Sequence, residues 1–225
     1  HTPVAEGEKA WIPVYERLQR AECFHRLKLN AQVRQIVEIL LDEPAWALPM
    51  TIARISFPRD NGRQTQPHQD WLYVQGSLDT ISCWAPLGDV SQEVGGLKIL
   101  AGSHKAGILI PRAAQGPGGN VVPCDPTLPW VASDFQAGDL LMFNALTVHG
   151  ARANFTPDRL RLSMDFRWTG MSCSAIESWM KPHFHWLGPT FQWDSLDRDW
   201  QDAELRRYWE RLPGLKVRPD TERVI

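Results

Sequence analysis

The sequence predicts a mainly β fold, a barrel or double-sheet jelly roll, with helices flanking it at the two ends. Three observations predict it. Between Thr51 and Trp168 the chain passes through a series of short β-branched or alternating segments divided by Gly, Pro, Asn and Asp, with no helical period between them. Helical periodicity is confined to the region before Pro44 and to a stretch near the C-terminus. The 225 residues are 43% hydrophobic and 22% charged, ordinary for a globular protein and enough for one domain with a proper core.

The elements follow in order. Val14–Leu27 reads as a helix. From Asn30 to Glu43 the apolar residues Val33, Ile36, Val37, Leu40 and Leu41 fall at helical spacing, and Pro44 closes the element, so helices occupy about residues 10–43. Thr51–Phe57, Trp71–Val74, Thr80–Pro86, Gly96–Ala101, Asp139–Phe143, Thr147–Gly150 and Leu160–Trp168 read as strands, giving a barrel core over about residues 50–170. Residues 111–129, with Pro111, Pro117, Pro123 and Pro126, form a long loop of the kind that serves as a lid. A Trp-rich tail covers 171–225, with an amphipathic helix expected over Gln201–Leu212. Trp179, Trp186, Trp193 and Trp200 recur at heptad spacing, but Pro182, Gly188 and Pro189 interrupt any helix, so the spacing is chance. No repeat or linker is visible, and 1–225 is parsed as a single domain.

Composition excludes several classes. A formal charge of −2 argues against nucleic acid or an anionic membrane as partner. No apolar run approaches the roughly 20 residues of a membrane span. The four cysteines, Cys23, Cys83, Cys124 and Cys173, show no CxxC pairing, and no signal peptide is visible. Together these lead to the expectation of reduced thiols in a cytoplasmic protein. The chain opens on His1 rather than Met, so the natural N-terminus is expected either to be trimmed or to lie outside this sequence.

The chemistry-bearing pattern is Gln66-Pro67-His68-Gln69-Asp70-Trp71. On a strand, residues two apart share a face, so His68 and Asp70 could converge on one ion. Imidazole nitrogen with carboxylate oxygen suits a borderline divalent ion such as Fe(II), and one further histidine completes a facial triad with open positions. An isolated His-x-Asp is more often a surface turn. The second half changes the balance: Gly138–Phe143 reads as a turn and a buried strand leading to His149-Gly150. Alone, His149 would be a satisfied core histidine. His183 and His185 form the rival metal pair, although Pro182 and their aromatic neighbours favour a packing or loop role. The strand Asp158–Trp168 alternates, with Arg159, Arg161, Ser163, Asp165 and Arg167 on one face. Such a face ordinarily meets water. Inside a barrel it would line the cavity, where a guanidinium binds a carboxylate in bidentate fashion and an anionic ligand or Asp165 offsets the burial of charge.

The order of motifs, from His68-x-Asp70 through Cys83-Trp84-Ala85-Pro86-Leu87, Gly95-Gly96-Leu97, Gly102-Ser103-His104-Lys105, Gly138-Asp139, His149-Gly150 and Asn154 to the Arg-x-Arg-x-Ser strand, resembles the phytanoyl-CoA dioxygenase (PhyH) family over about Thr51–Trp168. That resemblance implies a double-stranded β-helix, a cupin-like jelly roll, with N- and C-terminal helices. It implies Fe(II) on His68, Asp70 and His149, with O2 and 2-oxoglutarate as co-substrates. An arginine after the second histidine would anchor the keto acid: Arg161, paired with Ser163, or Arg159 as the close alternative. Trp84 would bound the same pocket. The implied reaction oxidises, most often hydroxylates, a C–H bond of a small-molecule metabolite while 2-oxoglutarate becomes succinate and CO2. Related halogenases replace the carboxylate with a small residue; Asp70 is present, so halogenation is not expected. The competing readings are a non-catalytic metal- or ligand-binding barrel and a cupin-like metalloenzyme without 2-oxoglutarate. The loop at 105–137 and the tail are expected to shape the substrate pocket, with Lys105, Arg112 and aromatic side chains suiting an anionic or aromatic small molecule. Oligomeric state is left open.

Overall fold

In the computed structural model, which describes residues 6–59 and 63–223, three helices come first: α1 (Ile12–Arg20), α2 (Glu22–Arg26) and, after a 3₁₀ turn, α3 (Ala31–Leu41). The single helix expected over Val14–Leu27 breaks at Ala21, whose backbone is extended. The break has local causes: His25 Nε2 meets the Gln19 carbonyl at 2.9 Å, and Trp200 Nε1 donates to the Arg20 carbonyl at 2.9 Å, so side chains satisfy the α1 carboxyl end. α3 is started by Asn30, whose side chain accepts from the Gln32 and Val33 amides, and it stops at Asp42 in the left-handed region. Val37 is fully buried and Val33 and Leu41 partly so, whereas Ile36, Ile39 and Leu40 are exposed.

The strands among the described residues are β1 (Ala45–Ala47), β2 (Ile52–Ser56), β3 (Ile81–Pro86), β4 (Leu97–Leu100), β5 (Arg112–Ala113), β6 (Asn120–Val121), β7 (Trp130–Ala132), β8 (Leu141–Asn144), β9 (His149–Ala151), β10 (Arg161–Gly170), β11 (Ser174–Ile176) and β12 (Lys216–Arg218). The larger antiparallel sheet has the order β1-β10-β3-β8, with β2 also pairing β10. The smaller has the order β7-β4-β9, and an isolated His68–His149 bridge adds the segment around His68 to its β9 side. This is the mainly β, double-stranded β-helix architecture expected. Gly95 makes the turn into β4: its φ is +83°, and a Cβ there would stand 2.5 Å from the Ala153 carbonyl oxygen.

β10 explains where the core sits. Its apolar face (Met164, Phe166, Trp168) packs beneath the N-terminal helices and the tail, within a core that includes Trp11, Tyr15, Trp46 and Trp179. Its polar face is buried as well, turned into the barrel.

Two further expectations are corrected. Trp71–Val74 is a short helix, α4, not a strand: Tyr73 and Val74 amides both donate to the Asp70 carbonyl at 2.9 Å, and Gln75 and Gly76 stop it at positive φ. The run is apolar and aromatic because Trp71, Leu72 and Val74 are all buried, which imitates strand composition. Gln201–Leu212 forms turns and a 3₁₀ segment, Tyr208–Arg211, rather than an amphipathic helix. Arg207 is left-handed there, with its guanidinium bonded to the buried Asp197. No helix among the described residues is long and apolar enough to cross a membrane.

Candidate metal centre

The site starts from backbone pairing. His68 and His149 exchange both backbone hydrogen bonds, at 2.9 and 3.0 Å, which brings their rings to a centroid separation of 4.2 Å. Asp70 is not on a strand with His68. It is the N-cap residue of α4, with helical φ/ψ of −61° and −31°, and the Trp71 amide ties this turn to the Ala145 carbonyl at 3.0 Å. A β-bridge at His68 followed by a helical turn from Asp70 therefore brings the carboxylate to the same place that strand alternation predicts.

Each imidazole is oriented by its inner nitrogen. His68 Nδ1 lies 2.7 Å from the Gln66 carbonyl and His149 Nδ1 lies 3.0 Å from the Thr147 carbonyl. A carbonyl only accepts, so Nδ1 carries a proton in both rings, and in the neutral ring Nε2 is the lone-pair atom. Burial, reinforced by neighbouring His68, lowers the His149 pKa to about 4, so that ring is neutral. Asp70 Oδ1 lies 3.7 Å from both Nε2 atoms, too far for a hydrogen bond and open enough to admit an ion. Its Oδ2 accepts from Arg167 Nε and Nη2 at 3.0 and 2.7 Å and from the Ser82 hydroxyl at 2.5 Å. Burial alone would raise this carboxyl group, but the Arg167 guanidinium and the two imidazoles hold it well below the usual carboxylate range. One ligand atom from each of His68, Asp70 and His149 lies within 4.8 Å of the others, in a wholly buried group. Two imidazole nitrogens and one carboxylate oxygen form the donor set that leaves open positions on Fe(II), so the residues present fit that ion.

The arginine strand separates its two candidates. Arg161 is buried, donates from Nη1 to Ser163 Oγ at 2.7 Å, and lines a small inner cavity of about 30 Å³ together with Trp84, Phe143 and the triad. Arg159 is exposed, and its Nη2 donates to the Asp89 carbonyl at 3.2 Å. Trp84 is buried on β3, edge-on to Phe135 at 4.9 Å. Asp165 pairs with Arg54 at 2.9 Å. A larger outer cavity of about 390 Å³ meets the inner one at His68, Asp70 and Arg167, and residues of the tail wall it. Lys105 and Arg112 line neither cavity; Gly118 is what the 105–137 loop contributes. His183 and His185 line the outer cavity and are not part of a metal-holding group among the described residues.

Sequence reasoning missed Ser82 and the part played by Arg167. A signal existed: Ser82 and Trp84 alternate on β3, and Ser82 pairs in register with Arg167 on β10. Arg54, brought to the site by β2, carried no comparable signal.

Comparison with known proteins agrees with this geometry. The profile of the phytanoyl-CoA dioxygenase (PhyH) family matches residues 5–162. A probable phytanoyl-CoA dioxygenase of Caenorhabditis elegans is 26% identical over 163 residues, 67% of this chain and 52% of that protein. The 1-deoxypentalenic acid 11-beta-hydroxylase of Streptomyces exfoliatus is 29% identical over 153 residues, 59% of this chain and 52% of that protein. The chain thus spans about half the length of these curated relatives. Among solved structures, the epimerase SnoN with Fe3+, alpha ketoglutarate and nogalamycin RO superposes with a TM-score of 0.57 at 23% identity, covering 71% of this chain and 63% of that one. EctD from S. alaskensis with 2-oxoglutarate and 5-hydroxyectoine gives a TM-score of 0.53 at 19% identity, covering 87% of this chain and 64% of that one. These two likenesses concern the fold. The profile match, which takes in well over half of the sequence, makes this chain a member of the phytanoyl-CoA dioxygenase (PhyH) family.

Proposed function

We propose that the chain is an Fe(II)- and 2-oxoglutarate-dependent oxygenase that hydroxylates a C–H bond of a small molecule. The observation that carries this is the convergence of His68, Asp70 and His149, with the buried Arg161 facing the same interior. When bound, iron and 2-oxoglutarate supply O2 activation: one oxygen atom goes to the substrate C–H bond, the other to succinate, and CO2 leaves.

In this reading His68, Asp70 and His149 hold the metal from one side and leave the other open. Arg161 binds the far carboxylate of the keto acid, with Ser163 fixing the guanidinium, and Trp84 bounds that pocket. The aromatic outer wall shields the reacting centre from water. Asp70, with one oxygen held by Arg167 and Ser82, keeps the carboxylate whose loss would make room for a halide. The hydroxylase among the curated relatives favours hydroxylation over the other outcomes the same centre supports, such as the epimerisation named for SnoN. Four free, scattered cysteines favour the cytoplasm.

Anaerobic reconstitution with Fe(II), followed by O2 and 2-oxoglutarate, tests the proposal. Iron-dependent succinate is expected from the native chain. His68→Ala and Asp70→Ala should abolish it while circular dichroism is unchanged. Succinate formation indifferent to both substitutions, or none from iron-loaded native protein, overturns the reading.

A further inference from the structure

The His183-x-His185 pair is not absorbed by the metal centre, and its hydrogen bonds show what His183 presents to the outer cavity. The Tyr15 hydroxyl, on α1, already accepts from Gln19 Nε2 and from the Ala53 amide, each at 3.2 Å. A hydroxyl has two acceptor lone pairs and one proton. Its proton is therefore the one that lies between Tyr15 Oη and His183 Nδ1, 2.6 Å apart. Because Nδ1 accepts, His183 in its neutral form must carry its own proton on Nε2. No group of the described residues takes that Nε2–H, and His183 lines the cavity that also reaches His68 and Asp70. Desolvation, with Arg54 and Arg167 nearby, keeps the ring pKa well below the ordinary histidine value, and burial keeps Tyr15 protonated. The ring is also held mechanically, since Tyr15 stacks on Trp11 at 4.2 Å and His183 lies 4.1 Å from the Phe184 ring.

The charges on the same wall are already matched. Arg54 pairs with Asp165 and Glu6, Arg167 with Asp70, and Arg223 with Asp220. The remaining surface is largely aromatic, from Trp179, Phe184 and Trp186. Arg167 Nη1 has no hydrogen-bond partner among the described residues, but the charge of that guanidinium is already balanced by Asp70, so an incoming carboxylate or ammonium group would bring an unmatched charge into the cavity. A neutral oxygen acceptor needs only the His183 N–H.

We propose that His183, held as the Nε2–H tautomer by Tyr15, is a substrate-positioning donor. The outer cavity then takes an uncharged, ring-bearing molecule that offers a carbonyl or hydroxyl oxygen to it. The assignment rests on the oxygenase reading only in calling that molecule the substrate.

The test uses the full chain and two readouts that need no turnover. Long-range 1H–15N NMR should show His183 with Nδ1 unprotonated and Nε2 protonated. Tyr15→Phe should shift the ring toward the other tautomer. Binding of three probes with one ring body, 2-acetonaphthone, 2-naphthoate and 2-(aminomethyl)naphthalene, is measured with 2-oxoglutarate present so that Arg161 is engaged. The ketone is expected to bind at least tenfold more tightly than either charged analogue. His183→Phe should lose about tenfold in ketone affinity and His183→Gln, which keeps an N–H near the same place, should recover it. A proton on Nδ1, naphthoate binding as well as the ketone, no binding by any probe, or unchanged ketone affinity in His183→Phe each overturn the proposal. Succinate formation, measured separately, reports on the oxygenase reading.

Discussion

The carboxylate of Asp70 turns Oδ2 to Arg167 and Ser82 and Oδ1 to the two imidazoles, so the groups that set its orientation are distinct from those that would share an ion with it. Partners that fix a metal-binding carboxylate typically govern affinity by 10–100-fold. Arg167→Met is accordingly expected to weaken Fe(II) binding by about that factor, read by anaerobic titration, with Ser82→Ala giving a smaller loss in the same direction. Unchanged affinity in both variants would mean that Arg167 merely neutralises a buried charge. The two arginines of β10 and its approach make a paired experiment. Losing one partner of a buried, hydrogen-bonded ion pair costs about 2–5 kcal/mol, so Arg161→Met should raise the KM for 2-oxoglutarate by roughly 30-fold or more. Arg159→Met, at an exposed site bonded to a backbone carbonyl, should change it less than about twofold. The reverse ranking would exchange their roles. Choosing between these two was beyond the sequence because both obey the same alternation. Only the point at which β10 enters the sheet, opposite Ser56 at Arg161, separates the buried one from the exposed one.

At the scale of elements, legibility followed burial pattern. β10 was readable because both of its faces are buried against different things, a polar cavity on one side and an apolar core on the other, which leaves a clean period of two. α4 was not, because a four-residue helix is too short for a period to appear, and its composition is that of a strand. Strand alternation predicts the convergence of His68 and Asp70, yet it plays no part at Asp70, where the backbone is helical. In α3 the apolar stripe of the sequence is wider than the buried face: Val37 is fully buried, while Ile36 and Leu40 of that stripe are 48% and 58% exposed, and Ile39, outside it, is 79% exposed. Val37→Ala should therefore destabilise the protein by about 1–3 kcal/mol, and Ile39→Ala should stay within roughly 0.5 kcal/mol, both read from urea midpoints. Equal effects would place the helix in a different rotation against β10.

The whole molecule is tied together where the N-terminal helices, the sheet and the tail meet at Lys28. This side chain is only 1% exposed; its Nζ donates to the Pro49 carbonyl at 2.5 Å and Thr51 Oγ1 at 3.1 Å, with the Tyr208 ring 5.5 Å away. Burial lowers its pKa from 10.5 to about 7. Between those values the unfolded chain binds a proton that the folded chain does not, so this group makes stability rise with pH through that window. The slope is on the order of 1 kcal/mol per pH unit. Lys28→Met should remove it, seen as a smaller gain in urea midpoint from neutral to alkaline pH than in the native chain; an equal or larger gain contradicts the assignment. The tail was the least legible part for a related reason. Its backbone is fixed by distant partners, as when the Tyr208 hydroxyl donates to the Ala47 carbonyl at 2.7 Å, and such contacts leave no local period. The proposed function depends on distant segments meeting around one ion beside an arginine-held keto acid. The most direct measurement is anaerobic addition of 2-oxoglutarate to the Fe(II)-loaded chain, followed by visible absorption for the charge-transfer band of a chelated keto acid. The expected result is a saturable band in the native protein that is absent in Asp70→Ala and needs far more 2-oxoglutarate in Arg161→Met. No band in folded native protein, or an equal band in Asp70→Ala, would contradict the metal centre itself.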